Sequence, residues 1–364
     1  MKSIVKYRLL FTLLTAVFIV FRIYPQDSTR LAEPDNNRIK PIVQVFGNFE
    51  YNPTKGVTKD YSFWFGRAHL GLQYQFSGNW SAKVIIDRGK PTTVGIISVT
   101  DSAGNTYLVN NTSKEGATNT MFLKFASLQW KVTDKFTLEG GAVLQNHYIT
   151  QEKFWGYRYV AETFQDRYYG IPSSDLGVIA YYKLSRKIGI DAALTNGEGP
   201  RIDQDSKGGI KLASGIDFNP GEHFITRVFY HHNASGVEDR NTAEQLFSVF
   251  AGYRWMQTFR LGGEFTWVDG YKNYSNLTSW GYSFFGSLAA TRKTNIFLRF
   301  DRLVFQVPDN MTAAIYANGN AYIGGINYSP VQGISLSINY QGFDYDSPTR
   351  KMQHRLLLST EFKL

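Results

Sequence analysis

The spacing of the polar–apolar alternation constrains this chain more than any single motif. After residue 40, segments of about ten residues alternate with the period of two that puts successive side chains on opposite strand faces. They fall at 41–51, 61–76, 79–88, 121–131, 135–147, 174–184, 187–196, 208–218, 222–233, 243–255, 258–269, 279–291, 294–304, 320–328, 333–344 and 352–363. The gaps alternate too. Long ones (52–60, 89–120, 148–173, 197–207, 234–242, 270–278, 305–319 and 345–351) interleave with tight ones such as Ser77-Gly78, Ser185-Arg186, Met256-Gln257 and Arg292-Lys293. A soluble sandwich or propeller has no reason to keep this order. A barrel crossing a membrane does, because one rim carries short periplasmic turns and the other long extracellular loops. The spacing predicts an all-β fold: a 16-stranded antiparallel transmembrane β-barrel over residues 41–364, both termini on the short-turn side. One short helix is expected inside 153–169.

The two strand faces differ as such a barrel requires. In 61–76, Trp64, Ala68, Leu70, Leu72, Tyr74 and Phe76 share one face, and Arg67, His69, Gln73 and Gln75 the other. In 333–344, Ile334, Leu336, Ile338 and Tyr340 oppose Ser335, Ser337, Asn339 and Gln341. A polar inner face this consistent is unsatisfiable in a dry soluble core, so it lines water and the apolar face meets lipid. Tyr74, Phe76, Trp80, Trp130, Phe136, Tyr182, Phe218, Phe224, Tyr253, Trp255, Phe259 and Tyr328 sit beside the short turns with apolar-face parity. That is the placement of an interfacial aromatic girdle. The last strand, Arg355 to Leu364, alternates to its end, with Leu356, Leu358, Thr360, Phe362 and Leu364 outward.

The N-terminus has a different character. Lys2, Lys6 and Arg8 precede an apolar run from Leu9 to Phe21, too short to span a bilayer as a helix. Residues 1–26 are expected to be a signal peptide and 27–40 a periplasmic segment. Taking the basic residues Lys2, Lys6, Arg8 and Arg22 from the net charge of +9 leaves +5. With export, that mild charge argues against a nucleic-acid partner. Cysteine is absent, which removes disulfides, thiolate metal sites and thiol catalysis. A mean hydropathy of −0.27 excludes a bundle of membrane helices.

Scattered but colinear stretches carry a family resemblance. They are Arg67-Ala68-His69-Leu70-Gly71-Leu72; Ala126 to Trp130 with Phe136 to Leu144; Glu162 to Arg167, Asp175 to Val178 and Asn196 to Gly199; and Ile323 to Tyr328 with Ile338 to Tyr340. Together the chain resembles the phosphate-selective porins O and P, in the broad sense that includes many Bacteroidetes members. The resemblance implies a trimeric channel with loop 3 folded into the pore and anion selectivity from inward arginines. His69 stands where that family usually has a second Arg, and Gly215 occupies another expected Arg position. These departures point to anions generally rather than to phosphate alone.

Inward parity at mid-strand selects Arg67, His69, Lys83, Arg227, Glu264 and Arg299 as pore-lining residues, and loop 3 (148–173) adds Arg158 and Arg167. Asp87, Asp301 and Glu361 are inward acids. Clustered cations in a narrow low-dielectric lumen favour anions. Each could equally brace the wall through an Arg–carboxylate pair. The histidines (His69, His147, His223, His231, His232 and His354) form no i, i+4 metal pair, and no Gly-x-Ser-x-Gly elbow occurs. No enzyme activity, metal or cofactor is expected. The expected role is passive diffusion of small hydrophilic solutes across a Gram-negative outer membrane, with modest anion preference, as a homotrimer in outer-membrane lipid. The rival is a plugged barrel serving as accessory or scaffold subunit, its lumen filled by the aromatics of loop 3 or by residues 88–120.

Overall fold

A computed structural model describes residues 38–364 apart from 55, 57–59, 90–95, 104, 111–119, 235–241, 257 and 309–316. The expected signal peptide and most of the periplasmic segment lie outside the described residues. The strands are β1 (Ile39–Tyr51), β2 (Tyr61–Gln75), β3 (Trp80–Gly89), β4 (Ile96–Thr100), β5 (Thr106–Asn110), β6 (Thr120–Lys131), β7 (Phe136–Leu144), β8 (Ser174–Lys183) and β9 (Ile188–Thr195). They continue as β10 (Lys211–Phe218), β11 (Phe224–Asn233), β12 (Glu244–Trp255), β13 (Phe259–Asp269), β14 (Thr278–Ala289), β15 (Thr294–Gln306), β16 (Gly319–Tyr328), β17 (Ile334–Tyr345) and β18 (Gln353–Lys363).

All but β4 and β5 close into one antiparallel barrel, so its strand number is sixteen. Closure joins β1 to β18, in register from Gln44↔Lys363 to Tyr51↔Leu356. The terminal Leu364 amide donates to the Val43 carbonyl at 3.1 Å, tying the end of the chain to the short-turn rim. No described helix is long and apolar enough to cross a membrane. The outward face is predominantly apolar: Leu72, Leu128, Phe284, Leu298 and Ile338 are all exposed. Exposed aromatics Phe76, Tyr182, Phe218, Tyr253, Trp255 and Tyr328 ring the short-turn rim, and Trp80 stacks on Trp130 at 5.1 Å. An apolar belt of this extent is stable only against lipid.

Two bulges break the alternation. The β1–β2 ladder passes from Phe46↔Arg67 to Gly47↔Phe65, leaving Gly66 unmatched. Every residue of β2 before Gly66 therefore changes face. Trp64, expected toward lipid, pairs with Asn48 on the inner side and donates its indole N–H to Glu50 at 3.1 Å. Tyr61 and Phe63 turn outward instead, against Tyr51 and Phe49. The β3–β6 ladder steps from Ile85↔Phe125 to Ile86↔Leu123, and the extra residue is Lys124. Strands β4 and β5 form a separate hairpin inside the long gap after β3, where no strand was expected.

Loop 3 occupies the lumen. It holds α1 (Ile149–Trp155) and α2 (Phe164–Tyr169), ended by the left-handed residues Gly156 and Gly170. The expectation was one helix. Two aromatic clusters glue the loop to the wall: Phe154, Trp155 and Tyr157 with Phe250, Phe285 and Phe297, and Phe164 and Tyr169 with Leu246, Val268 and Leu303. Phe154 and Phe164 each enter a notch in the wall. A Cβ on Gly252 would lie 2.7 Å from the Phe154 ring, and one on Gly281 would lie 2.4 Å from that of Phe164. Gly252→Val should cost about 1–3 kcal/mol by overpacking and push Phe154 off the wall. The check is a single-channel conductance that fluctuates where the wild type is steady.

Candidate functional site: the constriction and its cationic cavity

Polar contacts complete the mooring of loop 3. Gln165 donates to Ser248 at 2.8 Å and Tyr168 to Asp301 at 2.9 Å. Arg260 holds the Phe154 carbonyl at 3.0 Å, Gln341 holds that of Val160 at 2.9 Å, and Arg299 that of Glu162. Inside the loop, Arg158 binds Glu152 at 2.9 Å, Asp166 at 2.7 Å and, more loosely, Glu162 at 3.5 Å. Rings therefore pack outward on the wall and charge faces what remains of the lumen.

The sequence-selected residues divide into two groups. Arg299 makes a double contact with Asp301 at 2.7 and 2.8 Å and is buried. Arg227 sits between Asp191 at 2.9 Å and Asp217 at 3.1 Å. Its guanidinium fills the space beside Gly215, where a Cβ would come within 2.1 Å of it. Gly215 is thus the notch that seats Arg227. Lys83 reaches Glu139 at 3.3 Å. Glu264 is buried behind α2, with Thr266 at 3.5 Å. These charges brace the wall and loop.

The second group faces unpaired space. Arg67 donates to Gln44 at 2.9 Å and lies 4.9 Å over the Phe46 ring, with no carboxylate partner among the described residues. His69 stands 3.2 Å from Asp87, whose carboxylate also accepts from Lys124 at 2.7 Å and from the Ala68 N–H at 2.9 Å. Lys124 reaches this inner cluster because the β6 bulge turns it inward; strict alternation placed it toward lipid. Arg167 donates to Gln341 at 3.3 Å.

Between loop 3 and the β1–β2 wall lies a cavity of about 730 Å³. Arg88, Arg158, Arg167, Arg201 and Arg355 line it, and among the described residues Glu162 is its sole lining carboxylate. Arg201 enters from the loop after β9, its guanidinium 4.9 Å over the Phe122 ring. Arg355 donates to Gln341 at 3.0 Å and approaches Glu50 no closer than 3.7 Å. Arg88, Arg201 and Arg355 were not singled out from the sequence. Arg355 carried a signal, the inward parity opposite Leu356; Arg201 carried none, because a loop residue has no period.

Asp166 is the titratable member of the constriction. Burial pushes its carboxyl up to about 6 against the opposing pull of Arg158, with Glu162 and Glu152 adding to the rise. The group is anionic above that pH and neutral below it. Acidification from pH 7.5 to 5 should remove one negative charge from loop 3 and increase anion preference. Asp166→Asn should abolish that change, read as reversal potential against pH.

Among the described residues no three His, Asp or Glu side chains converge as metal ligands. No protein-family model matches the chain, and no curated protein does. Solved structures do. The anion-selective porin from Comamonas acidovorans is matched over 90% of this chain and 99% of its own, with TM-score 0.64 and 10% identity. OmpT of Vibrio cholerae is matched over 90% and 97%, with TM-score 0.60 and 9% identity. The channel DcaP of Acinetobacter baumannii is matched over 90% and 97%, with TM-score 0.58 and 14% identity. At such identities the likeness is one of fold: this chain is built as outer-membrane porins are.

Proposed function

We propose that the protein is an outer-membrane porin, a passive channel for small hydrophilic solutes that prefers anions. One observation carries the preference: among the described residues, Arg88, Arg167, Arg201 and Arg355 line the cavity beside loop 3 in addition to the internally paired Arg158, against Glu162 as the one lining carboxylate. Charge concentrated in a low-dielectric constriction raises the local anion concentration. The fold likeness to an anion-selective porin supports the reading. Phosphate would be one permeant anion among several, as expected with His69 and Gly215 at two arginine positions of the resembling family. Export by residues 1–26, outer-membrane residence and a homotrimer belong to the same proposal. Reversal potentials in asymmetric KCl across planar bilayers test it, and cation selectivity would overturn it.

A second reading has its own support. The aromatic clusters that bury Phe154, Trp155, Tyr157, Phe164 and Tyr169 fill much of the lumen, as a plugged scaffold barrel requires. Bilayers that stay silent with correctly folded protein would favour it.

A further inference from the structure

The cationic cavity offers charge and ring surface, with little else to bind. Arg167 and Arg355 both donate to Oε1 of Gln341, at 3.3 and 3.0 Å. The amide nitrogen of Gln341 is committed to the Val160 carbonyl at 2.9 Å and to Asn339 at 3.1 Å. The amide therefore cannot turn over, and it holds two guanidiniums together as one clamp. The neutral polar groups nearby are engaged elsewhere. The Trp64 indole N–H goes to Glu50 and the Tyr159 hydroxyl to Asn327, and Asn48 accepts the Ser359 hydroxyl at 2.7 Å.

A ring face remains. The β2–β3 ladder ends at Leu70↔Ile86, and beyond it Trp64 lies at the rim of the cavity, 37% exposed. Trp64 is there because of the Gly66 bulge. A sugar acid would satisfy the clamp and place its hydroxyls on Arg88, Arg201 or Glu162, but leave the Trp64 face bare. A small inorganic anion would use the clamp and leave the ring bare. The volume of about 730 Å³ falls in the range of small-molecule sites.

We propose that this cavity is a binding site for organic anions that join one acid group to a flat apolar body, the class of aromatic carboxylates. The acid group takes the Arg167–Arg355 clamp and the ring stacks on Trp64. This rests on reading the barrel as an anion channel, and it adds a retained solute to that channel.

The test uses the full chain in planar bilayers at 0.1 M KCl, with benzoate, acetate and gluconate as probes on the long-loop side. Benzoate should half-block the chloride current at a concentration about tenfold below acetate, and gluconate should behave like acetate. Trp64→Ala should bring benzoate back to the acetate value. The pair Arg167→Gln and Arg355→Gln should weaken both. Equal block by benzoate and acetate in the wild type would overturn the proposal without any variant. Block by gluconate as strong as by benzoate would overturn it in favour of sugar acids. Reversal potentials on the same channels judge the anion-channel reading separately. Calorimetric titration of benzoate and acetate into nanodisc-held protein gives the same comparison if no current flows: a tenfold preference supports the site, and none overturns it.

Discussion

Replacing Arg158 by methionine is expected to release loop 3 and raise single-channel conductance at least twofold. The side chain is 18% exposed and stands among Glu152, Glu162 and Asp166. It is the only cation those carboxylates share within the loop. Its removal leaves three partly exposed carboxylates without their shared partner, and the Asp166 carboxyl, already raised and now without the pull of Arg158, takes up a proton near pH 7. The pairs lost are partly exposed, each worth less than a fully buried one, but three go together, against mooring hydrogen bonds of about 1 kcal/mol each. The barrel should persist, since its ladders do not pass through Arg158. Adding Asp166→Asn should partly restore the narrow state at pH 8 and above, where an orphaned Asp166 would carry charge. Wild-type conductance in Arg158→Met, or a double variant wider than the single one, would show that aromatic packing alone sets the constriction.

The strands were legible because lipid outside and water inside impose opposite polarity on successive residues, and the short turns leave little freedom in register. The observed ends differ from the sequence-derived ones by about three residues at most. What alternation could not show is where it slips. Gly66 and Lys124 each insert one residue into a ladder. A glycine within a strand, as at Gly66, is a weak mark of a bulge, whereas nothing local marks Lys124, where the slip is set by the partner strand. Those two slips reassign Trp64 and Lys124, and both reassignments fall in the lumen. Arginine pairing was similarly hidden. Parity placed Arg67, Arg227 and Arg299 inward alike, yet Asp191 and Asp301 neutralise the last two, while Arg67 faces only Gln44. Distinguishing a bracing arginine from a solute-facing one requires the neighbouring strand. The β4–β5 hairpin was readable as two alternating runs about Asp101, but it stands outside the barrel sheet and was subsumed in a long loop.

The largest change in selectivity should come from the cavity arginines, not from the mid-strand ones. Changing Arg167, Arg201 and Arg355 together to Gln should remove most of the anion preference in 0.01 M KCl. None of the three is held as closely by a carboxylate as Arg227 or Arg299: Arg355 meets Glu50 only at 3.7 Å, Arg167 contacts an amide, and Arg201 a ring. Removing them therefore orphans no tightly paired acid, and glutamine keeps a donor for the Gln341 oxygen. Three positive charges then disappear from a space whose sole lining carboxylate among the described residues is Glu162. At 0.01 M salt the screening length is about 30 Å, so the loss acts across the lumen; at 1 M it falls to about 3 Å and the two channels should converge. Arg299→Gln should behave differently, freeing the buried Asp301 and loosening the Glu162 end of loop 3, with a fall in yield of folded protein. If the triple variant kept wild-type reversal potentials at low salt, the selectivity would reside with Arg67 on β2 and Lys124 on β6.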